Sequence, residues 1–256
     1  MKITQIAAQL YTVRDFCKTA ADLAVTARKI RAIGYQAVQL SAHGPIPESE
    51  IVRIMAGEGL TICATHEPAP IILDQPERAI ATLQMLNCPL TAYPYPQDLD
   101  LTRPDQVAML ARKLDSAGAK FRAAGLTLGY HNHEIEFLRL GDGTVLDYLY
   151  AHTAPQNLVG EPDTYWIQYG GGDCVDWCRR LQGRLPFIHL KDYAITPERK
   201  PVYCEIGRGT LPFPRIIAEA EESGCRWFIV EQDTCPGDPF DSLMISFNYI
   251  KTHLLS

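Results

Sequence analysis

Several patterns are missing from this 256-residue sequence, and each absence removes a class of protein. No window approaches the ~18 apolar residues of a membrane span. Lys and Arg never gather into a run, and the net charge is −6. An acidic chain has no general attraction for nucleic acid or anionic bilayers, so neither is an expected partner. The eight cysteines are scattered and form no CxxC pair. Cys174 and Cys178 lie four apart, which suits one helix face better than a zinc knuckle. A chain of this length needs no disulfide framework, so all eight are expected reduced. A Gly-rich dinucleotide turn is also lacking; Gly170-Gly171-Gly172 follows a strand without the required spacing. Near the N-terminus Thr4, Gln5 and Gln9 interrupt the apolar residues and Arg14-Asp15 follow. A secretory signal is therefore not expected, and a cytoplasmic location is.

What is present is the composition of a globular protein, 46% hydrophobic and 21% charged. Runs of strand character fall at residues 3–13, 37–40, 60–65, 90–95, 126–133, 158–163, 185–191 and 226–230. Helical spacing falls between them, at 19–33, 48–55, 76–86, 104–124, 145–151, 174–181, 214–222 and 240–253. Strands alternating with helices imply parallel βαβ units. Eight such units in about 250 residues predict an α/β fold, a closed (β/α)8 TIM barrel, as a single domain over residues 1–256.

The stretch Tyr130-His131-Asn132-His133-Glu134-Ile135-Glu136-Phe137 carries the densest chemistry. On a strand, His131 and His133 share one face. Two imidazoles beside carboxylates, at a strand's C-terminal end, lie where α/β barrels keep their reactive groups. Asp163, His189 and Glu231 end the next three strands. Asp163 also has the character of a helix or loop cap. Glu231 follows Trp227-Phe228-Ile229-Val230, and a charge on so apolar a run requires a partner or a metal. This mixture of imidazole and carboxylate suits Mn²⁺, Co²⁺ or Zn²⁺, and Mg²⁺ less well. Gly207-Arg208-Gly209 would let backbone amides approach a phosphate, or form a flexible turn.

Six segments resemble the sugar phosphate isomerase/epimerase family of xylose-isomerase-like TIM barrels. They are QLYTVRD (9–15), YHNHEIEF (130–137), DTYW (163–166), HLKDY (189–193), IGRGTLPF (206–213) and VEQD (230–233). The resemblance runs from the first strand to the last. It implies one divalent metal ion (Mn, Co, Zn or Mg) held by Glu, Asp, His and Glu on strands five to eight. Asp163, His189 and Glu231 match the last three of these. His131 stands where the first Glu is expected, with Glu134 and Glu136 further out. In the ketose epimerases the two glutamates act as paired bases, so Glu134 becomes the candidate second catalytic carboxylate beside Glu231. Lys191 is a candidate donor to a substrate oxygen, and Trp166 a stacking surface for a sugar. Gln9, Tyr11, His66 and His133 are candidates to line the pocket.

The implied activity is isomerisation or epimerisation of a small sugar or polyol-derived ketone through an enediolate. An inosose-type dehydratase on the same site is the nearest alternative, and a non-catalytic sugar-binding barrel another. The abasic-site nucleases share the barrel but need more His/Glu ligands and a basic groove. The expected partner is a small carbohydrate. The oligomeric state stays open, a homodimer included.

Overall fold

The computed structural model describes residues 1–255. Eight parallel strands form the barrel: β1 (Ile6–Gln9), β2 (Ala37–Leu40), β3 (Thr61–His66), β4 (Leu90–Tyr93), β5 (Thr127–His131), β6 (Val159–Glu161), β7 (Phe187–Leu190) and β8 (Trp227–Val230). Each is shorter than or equal to its sequence-derived span, apart from the last residue of β3. The clearest difference is at the N-terminus. Only Ile6–Gln9 is strand, and Leu10–Phe16 turns into 3-10 helix, with the Gln9 side chain accepting from the Tyr11 amide.

Strand order around the sheet is β6-β5-β4-β3-β2-β1-β8-β7. The remaining seam, between β6 and β7, is joined more sparsely. The His189 amide donates to the Pro162 carbonyl at 2.9 Å, and the Gly160 amide to the Arg184 carbonyl at 2.7 Å. Pro162 has no N–H to return, which limits the ladder there. The buried Arg184 guanidinium reinforces the seam below, donating to the carbonyls of Leu158 and Tyr150 and to the Thr153 hydroxyl.

The helices surround the strands: α1 (Ala20–Ile33), α2 (Glu48–Gly57), α3 (Ala69–Asp74), α4 (Pro76–Met85), α5 (Pro104–Ala123), α6 (Val145–Ala151), α7 (Thr164–Tyr169), α8 (Cys174–Arg180), α9 (Phe213–Glu222) and α10 (Pro239–His253). Eight match the sequence expectation; α3 and α7 are short additions within loops. None of the described helices is long and apolar enough to cross a membrane. All eight cysteines are free.

Period-2 alternation sorts the core into two layers. Outward residues such as Leu128, Tyr130, Ile188 and Phe228 pack beneath the helices. Inward residues Ala7, Ala37, Ala92, Phe187 and Ile229 fill the lower barrel. Phe187 reaches the β5 backbone so closely that a Cβ on Gly129 would stand 2.7 Å from its ring. One inward step above this apolar plug the character changes. Ala7 gives way to Gln9, Ala37 to Gln39, Gly129 to His131, Val159 to Glu161, Phe187 to His189 and Ile229 to Glu231. All six of these polar side chains are buried. The strands therefore deliver a closed polar layer directly above a packed floor.

Candidate functional site

The polar layer converges on His189, which is fully buried. Its Nε2 lies 2.6 Å from Gln39 Oε1, and its Nδ1 lies 3.3 Å from Glu231 Oε2 and 3.7 Å from Asp163 Oδ2. Burial alone would lower its pKa. The Glu161 charge and the neighbouring carboxylates of Asp163 and Glu231 outweigh this and hold the pKa well above the ordinary value. His131 has no such support. Burial, and next the charge of His189, push it well below. Its Nδ1 makes no hydrogen bond, and Glu161 Oε2 is 3.5 Å away.

Asp163 lies just beyond β6 and performs the capping role its position suggests. Its Oδ1 accepts from the Trp166 amide at 3.0 Å, starting α7. Its Oδ2 makes no hydrogen bond despite burial, and points toward His189 Nδ1 and Lys191 Nζ.

Lys191 is wholly buried, and three carboxylates surround its ammonium. Nζ donates to Glu231 Oε2 at 2.9 Å, pairs with Asp233, and lies 3.5 Å from Asp163 Oδ2. The rings of Trp166 and Tyr203 flank it, with centroids 4.9 and 5.2 Å away. Desolvation opposes its charge, but the three acids keep its pKa well above that of an ordinary lysine. Glu231 is burdened by burial yet held well below the usual carboxylate range by Lys191 and His189. Asp233, desolvated and beside Glu231, is pushed up to about 6.

A cavity of about 210 Å³ opens over this layer. Tyr11, Ser41, His66, Tyr95, His131, His133, Glu231 and Asp233 line it. His133 stands among aromatic rings, with centroids 4.9 Å from His131, 5.1 Å from Tyr95 and 5.1 Å from Trp166. Burial and the Lys191 charge lower its pKa to about 3. Its Nδ1 and Trp166 Nε1 are buried without hydrogen-bond partners.

The structure thus brings together His66, His131, His133, Asp163, Trp166, His189, Lys191 and Glu231, with Tyr11 at the mouth and Gln9 in the layer below. Glu134 is the exception. It starts a 3-10 turn, Glu134–Phe137, and does not line the cavity. Glu136 turns away instead. It accepts from the Tyr130 hydroxyl and the His133 amide, both at 2.7 Å. The glutamate nearest His131 comes from the neighbouring strand: Glu161, the Cα partner of His131 in the β5/β6 register. Glu161 and Gln39 were missed by sequence reasoning. The signal available was their place two residues beyond an inward small or apolar side chain, the same step that leads to His131, His189 and Glu231.

The Gly207/Gly209 loop is likewise committed elsewhere. Both amides donate to Asp192 Oδ2 at 2.9 Å. A Cβ on Gly209 would stand 2.2 Å from Asp192 Oδ1. The amides that would have met a phosphate hold the protein's own carboxylate.

Two groups of side chains converge closely enough to hold a metal ion. One ligand atom from each of His131, Asp163, His189 and Glu231 lies within 4.8 Å of the others, and so does one from each of His66, His131, Glu161 and His189. In the first set, two donor atoms, His131 Nδ1 and Asp163 Oδ2, are buried with no hydrogen bond. Four carboxylates (Glu161, Asp163, Glu231 and Asp233) surround one lysine, Lys191, and the His189 imidazole, which must be neutral to act as a ligand. The negative charge left over favours a bound cation. The residues fit a metal.

A family model described as a xylose isomerase-like TIM barrel matches residues 27–242. The chain belongs to that family. No curated protein sequence matches it. Among solved structures, a sugar phosphate isomerase/epimerase from Parabacteroides distasonis is 20% identical with a TM-score of 0.82, over 99% of this chain and 96% of that one. A xylose isomerase-like TIM barrel protein from Mycobacterium smegmatis, in complex with magnesium, is 15% identical with a TM-score of 0.77, over 97% and 95%. A probable 3-DHS dehydratase from Bacillus anthracis is 12% identical with a TM-score of 0.72, over 99% and 100%. At these identities the likenesses establish the barrel. Isomerases, epimerases and a dehydratase share it.

Proposed function

We propose that this protein is a divalent-metal-dependent isomerase or epimerase of a small sugar or polyol-derived ketone. The observation that carries the reading is the buried convergence of His131, Asp163, His189 and Glu231, with one orphaned atom each on His131 and Asp163. These four residues would hold the ion. The magnesium complex of the M. smegmatis relative supports metal binding in the fold. Two imidazoles and two carboxylates favour Mn²⁺, Co²⁺ or Zn²⁺ over Mg²⁺. When bound, such an ion polarises a ketone carbonyl and acidifies the adjacent C–H.

The remaining work falls to the chain itself. Glu231 and Asp233 are the carboxylates lining the cavity, so proton removal from substrate is assigned to Glu231, with Asp233 beside it as the alternative acceptor. Lys191, engaged by three carboxylates, keeps Glu231 anionic in a desolvated site. That role replaces direct donation to substrate. His66, His133 and Tyr11 offer polar atoms along the cavity wall, and Trp166 lies behind His133. The small cavity volume suits a single sugar-sized molecule.

The test is hydrogen exchange. Protein loaded with Mn²⁺ or Co²⁺ is incubated with a panel of ketoses and inososes in D₂O. Deuterium is expected at the carbon beside the carbonyl of at least one compound. Glu231→Gln is expected to slow it by roughly two to four orders of magnitude, the usual contribution of a positioned base. Metal-loaded protein that exchanges no member of the panel would overturn the reading. Water loss without exchange at equilibrium would move it to the dehydratase.

A further inference from the structure

Within the polar layer, Gln9, Gln39, Glu161 and His189 form a hydrogen-bonded chain with no solvent exposure. Its polarity follows from what each atom can give or take. Glu161 is an acceptor only. Its Oε1 lies 2.6 Å from Gln39 Nε2, so the Gln39 amide must turn its NH₂ toward Glu161. Gln39 Oε1 then faces the opposite way, toward His189 Nε2 at 2.6 Å. The far end of the chain enforces the same orientation. The Tyr11 amide donates to Gln9 Oε1 at 3.3 Å, which leaves the Gln9 NH₂ to donate to Gln39 Oε1 at 2.9 Å. Gln39 is thus clamped between an acceptor on one side and a donor on the other.

An acceptor 2.6 Å from His189 Nε2 requires that nitrogen to carry hydrogen. Glu161 Oε1, 3.3 Å from the same nitrogen, is a second acceptor-only neighbour. Only Nδ1 remains to offer a lone pair, and it is the nitrogen that faces Asp163 and Glu231. The second oxygen of Glu161 treats His66 similarly, accepting from its Nε2 at 2.6 Å.

We infer that Glu161 is a positioning residue that acts through Gln39. It fixes His189 with hydrogen on Nε2, so that Nδ1 is the metal-ligating nitrogen. The role rests on the metal reading above. A carboxylate is needed because an amide at position 161 has both a donor and an acceptor end. Glu161→Gln could present NH₂ to Gln39, reverse that amide, and direct a donor at His189 Nε2. Partners of this kind orient ligating histidines, and losing one commonly costs 10–100-fold in metal affinity.

The experiment uses Zn²⁺ as a diamagnetic probe on the full chain. Long-range ¹H–¹⁵N correlation of the loaded wild type is expected to show His189 protonated at Nε2 and metal-bound at Nδ1. Zn²⁺ affinity, measured by competition with a chromophoric chelator, is expected to fall roughly 10–100-fold in Glu161→Gln. Gln39→Met, which removes the relay but leaves Glu161, is expected to fall similarly. The wild-type spectrum decides the matter even if a variant fails to fold. Zinc bound through Nε2, or affinity within twofold of wild type in both variants, overturns this role alone. A wild type that takes up no zinc overturns the metal reading and this role together.

Discussion

Asp163 divides its two oxygens between two environments. One caps α7 and the other enters the candidate metal cluster. Substitution separates these. Asp163→Asn keeps a good capping group but loses the charge, whereas Asp163→Ala loses both. Metal affinity is expected to collapse in each. Without metal, the Ala variant is expected to be about 1 kcal/mol less stable than the Asn variant, the usual worth of a cap. Urea unfolding of the two in chelator measures the difference. Glu136 gives a pH prediction away from the metal cluster. Burial raises its pKa from 4.5 to about 7. Between those values the folded chain holds a proton that the unfolded chain has released. Its contribution therefore destabilises the fold as pH rises through that window, by about 3 kcal/mol in all. Wild-type stability minus that of Glu136→Gln is expected to fall from pH 4.5 to 7 and level off above. Glu161, held down at about 2, acts in the other direction and in a separate window. Its stabilisation is present above pH 4.5 and is lost as pH falls toward 2.

At the scale of elements, α5 contains a glycine that helix propensity alone would reject. A Cβ on Gly118 would stand 1.8 Å from the Asn157 carbonyl oxygen, on the segment entering β6. Gly118→Ala gains up to about 1 kcal/mol in an unobstructed helix. Here it is expected to destabilise by about 1–3 kcal/mol, because backbone must move to admit the methyl. Chemical denaturation gives the sign directly. The loop after β7 depends on Asp192. Its carboxylate accepts from the amides of Tyr193, Gly207, Gly209 and Leu211. Asp192→Ala removes every one of these bonds. Faster proteolytic cleavage between residues 193 and 211 is the expected outcome, followed by mass spectrometry of the fragments.

For the molecule as a whole, a metal that binds only the folded chain must stabilise it by mass action. At a hundredfold excess over Kd that is about 2.7 kcal/mol, or roughly 5–10 °C in Tm at this size. Mn²⁺ or Co²⁺ is expected to raise the wild-type Tm by this amount and to leave His189→Ala unmoved. A shift of equal size in the variant places the ion elsewhere. The barrel itself was legible because period-2 and period-3.6 patterns alternate eight times, and no alternative α/β motif competes with them. The candidate site was legible in part. His131, Asp163, His189 and Glu231 stand at strand ends, where apolar runs stop abruptly in chemistry. Glu134 misled because it adjoins the histidine pair in sequence, while the chain turns into a 3-10 helix after His133 and Glu134 does not line the cavity.

Local rules fixed which residues become strands, which side chains point inward, and where apolar character gives way to polar. Each of these depends on spacing within one segment, and spacing is written in the sequence. Which polar groups meet was decided by closure of the barrel. Gln39 and His189 are 150 positions apart and touch because β2 and β7 face one another across the same layer. Strand register and stagger set these meetings, and they arise only once all eight strands have paired.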